Sequence, residues 1–129
     1  MSLTYVLPTQ LSHSISLEKA VEMTTLYREN RNAILKEEYQ FNDLLALNET
    51  FNKEAIIALL QQENCVAFRI YYGMSEDLKV HAILVGVNDK GEDILPATST
   101  EERTEEDGVI LEDGSRCPNT CPPASPLNP

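Results

Sequence analysis

The side chains with the widest chemical range in this chain are three thiols, one histidine in an apolar run, and an arginine–tyrosine pair. Cys117 and Cys121 have C-x3-C spacing, each followed by proline, with Cys65 far upstream. Zinc asks for four ligands in a structural site, or three plus water in a catalytic one. The C-x2-C knuckle spacing is missing, no second pair exists, and Cys65 or His81 would have to complete a set. A local disulfide is sterically open to such a pair but disfavoured in a reducing compartment. The leading expectation is reduced cysteines packed as small hydrophobes. Metal or redox chemistry at Cys117 and Cys121 is the sharper alternative.

His81 stands among Ile83 and Val85, where a lone histidine is normally a hydrogen-bonded core residue. As a general base it would need an orienting partner and a nucleophile within reach, and nothing in the chain supplies a triad. Arg69 and Tyr71 are the other candidates, since a guanidinium grips carboxylate or phosphate bidentately. Small neighbours at Ala82 and Gly86 would leave room for a small anion. Arg69, Tyr71 and His81 are therefore the candidate ligand-binding residues. The plainer reading pairs Arg69 with one of the chain's many carboxylates. The five glycines are scattered, with neither a GxGxxG nor a Walker pattern.

The elements that must position these residues centre on Val66 to Leu95, which reads as three antiparallel strands. Val66, Phe68, Ile70 and Tyr72 alternate with Ala67, Arg69 and Tyr71, the period of a strand. Gly73 to Leu78 carries turn chemistry, and the chain returns from Lys79 to Val87. Setting Tyr72 opposite Lys79 places Ile70 opposite His81, Phe68 opposite Ile83 and Val66 opposite Val85. Asn88 to Glu92 suits a type I turn with Gly91 left-handed, and Pro96 ends the ladder. The reverse face then holds Val80, Ala82, Leu84 and Gly86 beside Ala67, Tyr71 and Ile94. The middle strand is apolar on both sides, unlike a one-sided sheet. Helices are expected over the larger residues, and the tail, an N-terminal strand or a second copy over the smaller ones.

Upstream, Leu3 to Leu7 reads as a short strand. Ser16 is the expected cap of a helix from Leu17, with Ala20, Met23, Thr24, Tyr27 and Ile34 on its inner side. Asn30 to Asn32 is a candidate break before about Glu38. Tyr39 to Glu49 is ambiguous between helix and docked loop. Asn52 caps a second helix that buries Ile56, Leu59 and Leu60, with Phe51 as a staple against Ile56. After the meander come the acidic connection, a short strand at Val109 to Leu111, and the tail RCPNTCPPASPLNP.

At 129 residues the chain reads as one domain, 1–129, long enough to build a core without a disulfide or metal. Its parts are a helical region of about 16–64, a meander of 66–95, an acidic connection of 96–108 and a docked tail of 109–129. The fold class is α+β: N-terminal helices packed on an antiparallel meander, with an extended Pro/Cys-rich tail. A net charge of −11 argues against nucleic acid and anionic membrane as partners. Between Glu92 and Asp113 lie nine carboxylates and one base, Arg103, without the EF-hand spacing, which reads as a solvated loop. No apolar run approaches a membrane span. The start, MSLTYVLPTQLSHS, lacks the basic segment and apolar core of a secretory leader, so a cytoplasmic setting is expected.

The stretches RIYYGMSEDLKVHAILVGVNDKGEDILP and ILEDGSRCPNTCPPASPLNP resemble a small uncharacterised family of bacterial proteins. The resemblance implies a bacterial cytoplasmic origin and assigns no activity and no site residues. The expected function is a non-enzymatic interaction module that self-associates as a homodimer and needs no cofactor. A binder of an unidentified small ligand near Arg69 and Tyr71, and a thiol-based metal or redox protein, are the alternatives.

Overall fold

Leu17 opens a helix because the Ser16 hydroxyl, held in an extended residue, accepts from the Lys19 N–H. An N-cap of this kind satisfies one of the four donors that a helix start leaves unpaired. The computed structural model describes residues 13–96 and 109–129. The strand expected at Leu3 to Leu7 and the connection at 97–108 lie outside the described residues. In chain order come α1 (Leu17–Asn30), a 3-10 turn (Glu37–Tyr39), β1 (Asn48–Thr50), α2 (Lys53–Leu60), β2 (Cys65–Met74), β3 (Val80–Asn88), β4 (Asp93–Ile94), β5 (Ile110–Leu111) and β6 (Ser115–Cys117). The protein is α+β, with antiparallel pairing of β3 to both β4 and β5.

The described residues cluster into two compact units. The first comprises 50–73, 81–96 and 109–114 and contains α2 and most of the sheet. Asn52 caps α2 through its side-chain oxygen, which accepts from the Ala55 N–H. Leu59, fully buried, is the residue α2 contributes to the core, and α2 contacts β5. Gln62 continues that junction, donating to Leu59 O and accepting from the Val109 N–H. In the sheet β2 borders β3, and β4 and β5 pair along β3 as well. Gly86 stands opposite Ile94 and Val87 opposite Asp93, while Leu84 meets Leu111 and Val85 meets Ile110. Consecutive residues Leu84 and Val85 are both buried, so this part of β3 is shielded on both faces.

The expected register of the hairpin is corrected. Ser75, not Tyr72, lies across from Lys79, with the Ser75 N–H donating to Lys79 O. The turn is Ser75 to Lys79, closed by the Leu78 N–H to Ser75 O, and Leu78 takes the left-handed conformation at φ 68°. β2 therefore runs on through Gly73, whose missing Cβ makes room for Ile83: a methyl there would come within 2.6 Å of Ile83 Cδ1. At the turn the displacement is three residues, an odd number, which exchanges the faces of the adjoining part of β2. Arg69 and Tyr71 accordingly share the face of Val87 and Asp93 rather than that of Ala82 and Gly86. Val66, Phe68, Ile70 and Tyr72 occupy the opposite face, and among the described residues no helix covers them: all four are 46–79% exposed.

The second unit comprises the described residues of 13–49, 74–80 and 115–129, including α1 and the tail. α1 ends at Asn30, where the Arg31 N–H closes on Tyr27 O. Its inner side keeps Ala20 and Thr24 of the expected set but not Met23, Tyr27 or Ile34. Met23 is 54% and Ile34 72% exposed, and no residue of α1 is fully buried. The less exposed positions are Ala20, Val21, Thr24, Thr25 and Arg28. Apart from Arg28 these side chains are small and give the helix a weak apolar stripe, which the larger residues outweigh in a sequence reading.

Candidate functional site

Three polar clusters contain the residues with chemical potential, two in the first unit and one in the second. In the first unit, Arg69 Nη1 lies 2.6 Å from Asp93 Oδ1, and Arg69 Nη2 donates to Gly91 O at 3.2 Å. The Tyr71 hydroxyl donates to the other Asp93 oxygen at 2.5 Å. Asp93 thus receives a guanidinium on one oxygen and a phenol on the other. Its hydrogen bond to Tyr71 holds the phenol above the ordinary value of 10.0, aided by desolvation and opposed by Arg69. The cluster ties β2 to β4 across β3 by a charge-assisted pair, about a quarter exposed on each side. This is the plainer of the two readings of Arg69: the guanidinium already holds a carboxylate, and an incoming anion would have to displace it.

His81 lies beside a different carboxylate. Its Nδ1 lies 3.1 Å from Glu112 Oε1, within ion-pair range, but off the line that a hydrogen bond requires. Arg69 and Tyr71 are brought together at Asp93, and His81 has its own partner.

The second unit contains a cluster whose importance the sequence did not reveal. Four consecutive backbone carbonyls, Asp43 to Ala46, are all satisfied by residues distant in the chain. Arg116 donates to Asp43 O, Leu44 O and Val80 O, each at 3.2 Å. Leu44 O also accepts from the Val80 N–H, Arg31 donates to Leu45 O, and the Tyr27 hydroxyl donates to Ala46 O. Burial raises the Tyr27 pKa, against the pull of Arg31 and Arg116. This scaffold holds a segment that local propensity leaves undecided, because backbone carbonyls without strand or helix partners must be matched some other way. Arg116 is the residue sequence analysis missed. Its only local signal is that it is the one base in the tail, beside Cys117.

Cys117 and Cys121 form a disulfide, which corrects the leading expectation of reduced cysteines. A tight turn brings their Cα atoms to 4.5 Å, with the Thr120 N–H donating to Arg116 O. That separation lies within the usual range for a bridge. The two ends differ: Cys117 is 1% exposed in β6, its carbonyl accepting from the Leu47 N–H, whereas Cys121 is exposed. A cross-link closing so short a loop stabilises by only about 2 kcal/mol in the chain-entropy account. Cys65 is free and donates to Ala67 O. Among the described residues no group of three or more His, Cys, Asp or Glu is placed to hold a metal ion. Nor is any described helix long and apolar enough to cross a membrane.

Fold and clusters define a small acidic α+β protein in which the described arginines Arg31, Arg69 and Arg116 are directed at its own backbone and carboxylates. Compared with known proteins, the chain matches no family model, no curated protein and no solved structure.

Proposed function

We propose that this protein is a non-enzymatic interaction module that self-associates, with β2 of one copy pairing antiparallel to β2 of a second. The observation that carries this reading is the exposed apolar row Val66, Phe68, Ile70 and Tyr72 on a strand that has one strand neighbour among the described residues. An edge strand presents unpaired N–H and C=O groups, and soluble proteins usually blunt it with charge, proline or a bulge. β2 has none of the first two on its outer row. Cys65–Met74 contains no carboxylate, although the chain carries 21, and its single base, Arg69, is already paired with Asp93. Depletion of charge with enrichment of aromatic residues is the composition of an interface centre.

The row is also self-complementary. A twofold axis at Arg69 would set guanidinium against guanidinium, which is unfavourable. An axis at Ile70 sets Ile70 against Ile70 and Phe68 against Tyr72, with Arg69 opposite Tyr71 on the other face. Such an isologous contact closes on itself and gives a dimer.

Light scattering over a concentration series tests this. The expected mass is twice 14.5 kDa, falling to the monomer in an Ile70→Lys variant with an unchanged circular dichroism spectrum. Ile70 is half exposed, so the lysine has room in the monomer and is disfavoured only at the axis. A wild-type protein that stays monomeric at several hundred micromolar would sink the proposal.

A further inference from the structure

The Cys117–Cys121 bond has features that a purely structural staple does not require. Its closed loop spans only three intervening residues, so it constrains the unfolded chain weakly. Its two sulfurs belong to residues of opposite exposure, Cys117 buried and Cys121 open to solvent. The surroundings of Cys117 are held without it. Arg116 is fixed by three carbonyls, Cys117 O accepts from Leu47, and the Thr120 N–H closes the turn on Arg116 O. Opening the bond therefore leaves β6 and the turn supported, and the two thiols stay close enough to close again. A weakly constraining bond with one accessible sulfur, set in a frame that survives its loss, has the properties of a bond that opens and closes.

We propose that Cys117–Cys121 is a thiol–disulfide exchange site for dithiols, with Cys121 as the point of attack and Cys117 as the buried leaving group. A thiolate of the dithiol attacks Cys121 Sγ. The S–S bond breaks, and its electron pair leaves on Cys117 Sγ, which takes a proton from water. The second thiolate of the dithiol then attacks its own sulfur in the mixed disulfide, releasing Cys121 as a thiol. The dithiol is oxidised by two electrons, and the protein is reduced by two. Attack requires the nucleophile, the central sulfur and the leaving sulfur in line, and Cys121 is the exposed residue of the pair. This inference rests on residues of the tail and does not depend on pairing through β2.

The test uses the full chain, native and without denaturant. Treatment with dithiothreitol, followed by alkylation and mass measurement, is expected to convert one alkylated cysteine, Cys65, into three. The circular dichroism spectrum should be retained, and the bond should re-form when oxidised dithiothreitol is in excess. With glutathione disulfide, a Cys117→Ser variant is expected to gain one adduct at position 121, located by peptide mass. A Cys121→Ser variant should react at position 117 at least tenfold more slowly. A bond that opens only in denaturant, or a spectrum that collapses on reduction, would overturn the proposal. So would equal reaction rates in the two variants. Should either variant not fold, the wild-type reduction rate with and without denaturant decides alone.

Discussion

The two turns that border β3 have the same hydrogen bonds and very different residues. In Ser75–Lys79 the first N–H donates to the fifth carbonyl, and the fourth N–H to the first carbonyl; Asn88–Glu92 repeats both bonds. The fourth residue is left-handed in each, at φ 68° for Leu78 and 80° for Gly91. Asn88 supports its turn further by accepting from the Lys90 and Glu92 N–H groups. Ser75 has its hydroxyl on Asp77 and Lys79 O instead. Glycine reaches that conformation at little cost, whereas an L-residue pays about 1–2 kcal/mol. The second turn is thus legible from its residues, and the first is imposed by the sheet it closes.

Breaking the favourable turn should have the largest effect. Gly91→Val places a β-branched residue at positive φ and is expected to lower stability by about 2 kcal/mol in urea unfolding. A loss below a few tenths would mean that the conformation at Gly91 is not needed. The other glycine tests whether the first turn lies where the hydrogen bonds put it. Gly73→Ala should destabilise by about 1 kcal/mol, because its methyl meets the flexible end of Ile83 inside the sheet. A gain there would return Gly73 to the loop that its residue type suggests.

The converse change should improve the molecule. Leu78→Gly relieves the left-handed leucine and is expected to gain about 0.5–1 kcal/mol, net of the added flexibility of the unfolded chain. The smallest effect is a titration that reports the register itself. Tyr71, donating to Asp93, should ionise above pH 10 by ultraviolet phenolate absorbance. A raised value in the folded state means that this contribution is complete below the unfolded pKa and is lost as pH rises through the folded one. Asp93→Asn should bring the titration down, and an unchanged curve would contradict the observed pairing of faces.

The register also carries the functional reading. Had Tyr72 stood across from Lys79, the row Val66, Phe68, Ile70 and Tyr72 would share the face of His81, Ile83 and Val85. In the structure Arg69 and Tyr71 take that side, cross-braced to Asp93, and the apolar row is left outward. A glycine in mid-strand and a leucine at positive φ each point a sequence reading the wrong way.

What the sequence determined by itself is what neighbouring residues decide among themselves. Ser16 and Asn52 accept from N–H groups three residues on, and Gly91 closes a five-residue turn, so residue type alone identified the caps and that turn. The alternation of β2 and the double-sided apolar character of β3 were legible for the same reason, and with them the α+β class. Only the tertiary structure decided how Asp43 to Ala46 is held, since Arg116 comes from more than 70 residues away. It likewise decided that Cys117 and Cys121 bond, and which side of β2 faces solvent. Those outcomes depend on which distant groups arrive to satisfy a carbonyl, a carboxylate or an apolar face, and composition and spacing carry no record of that arrival.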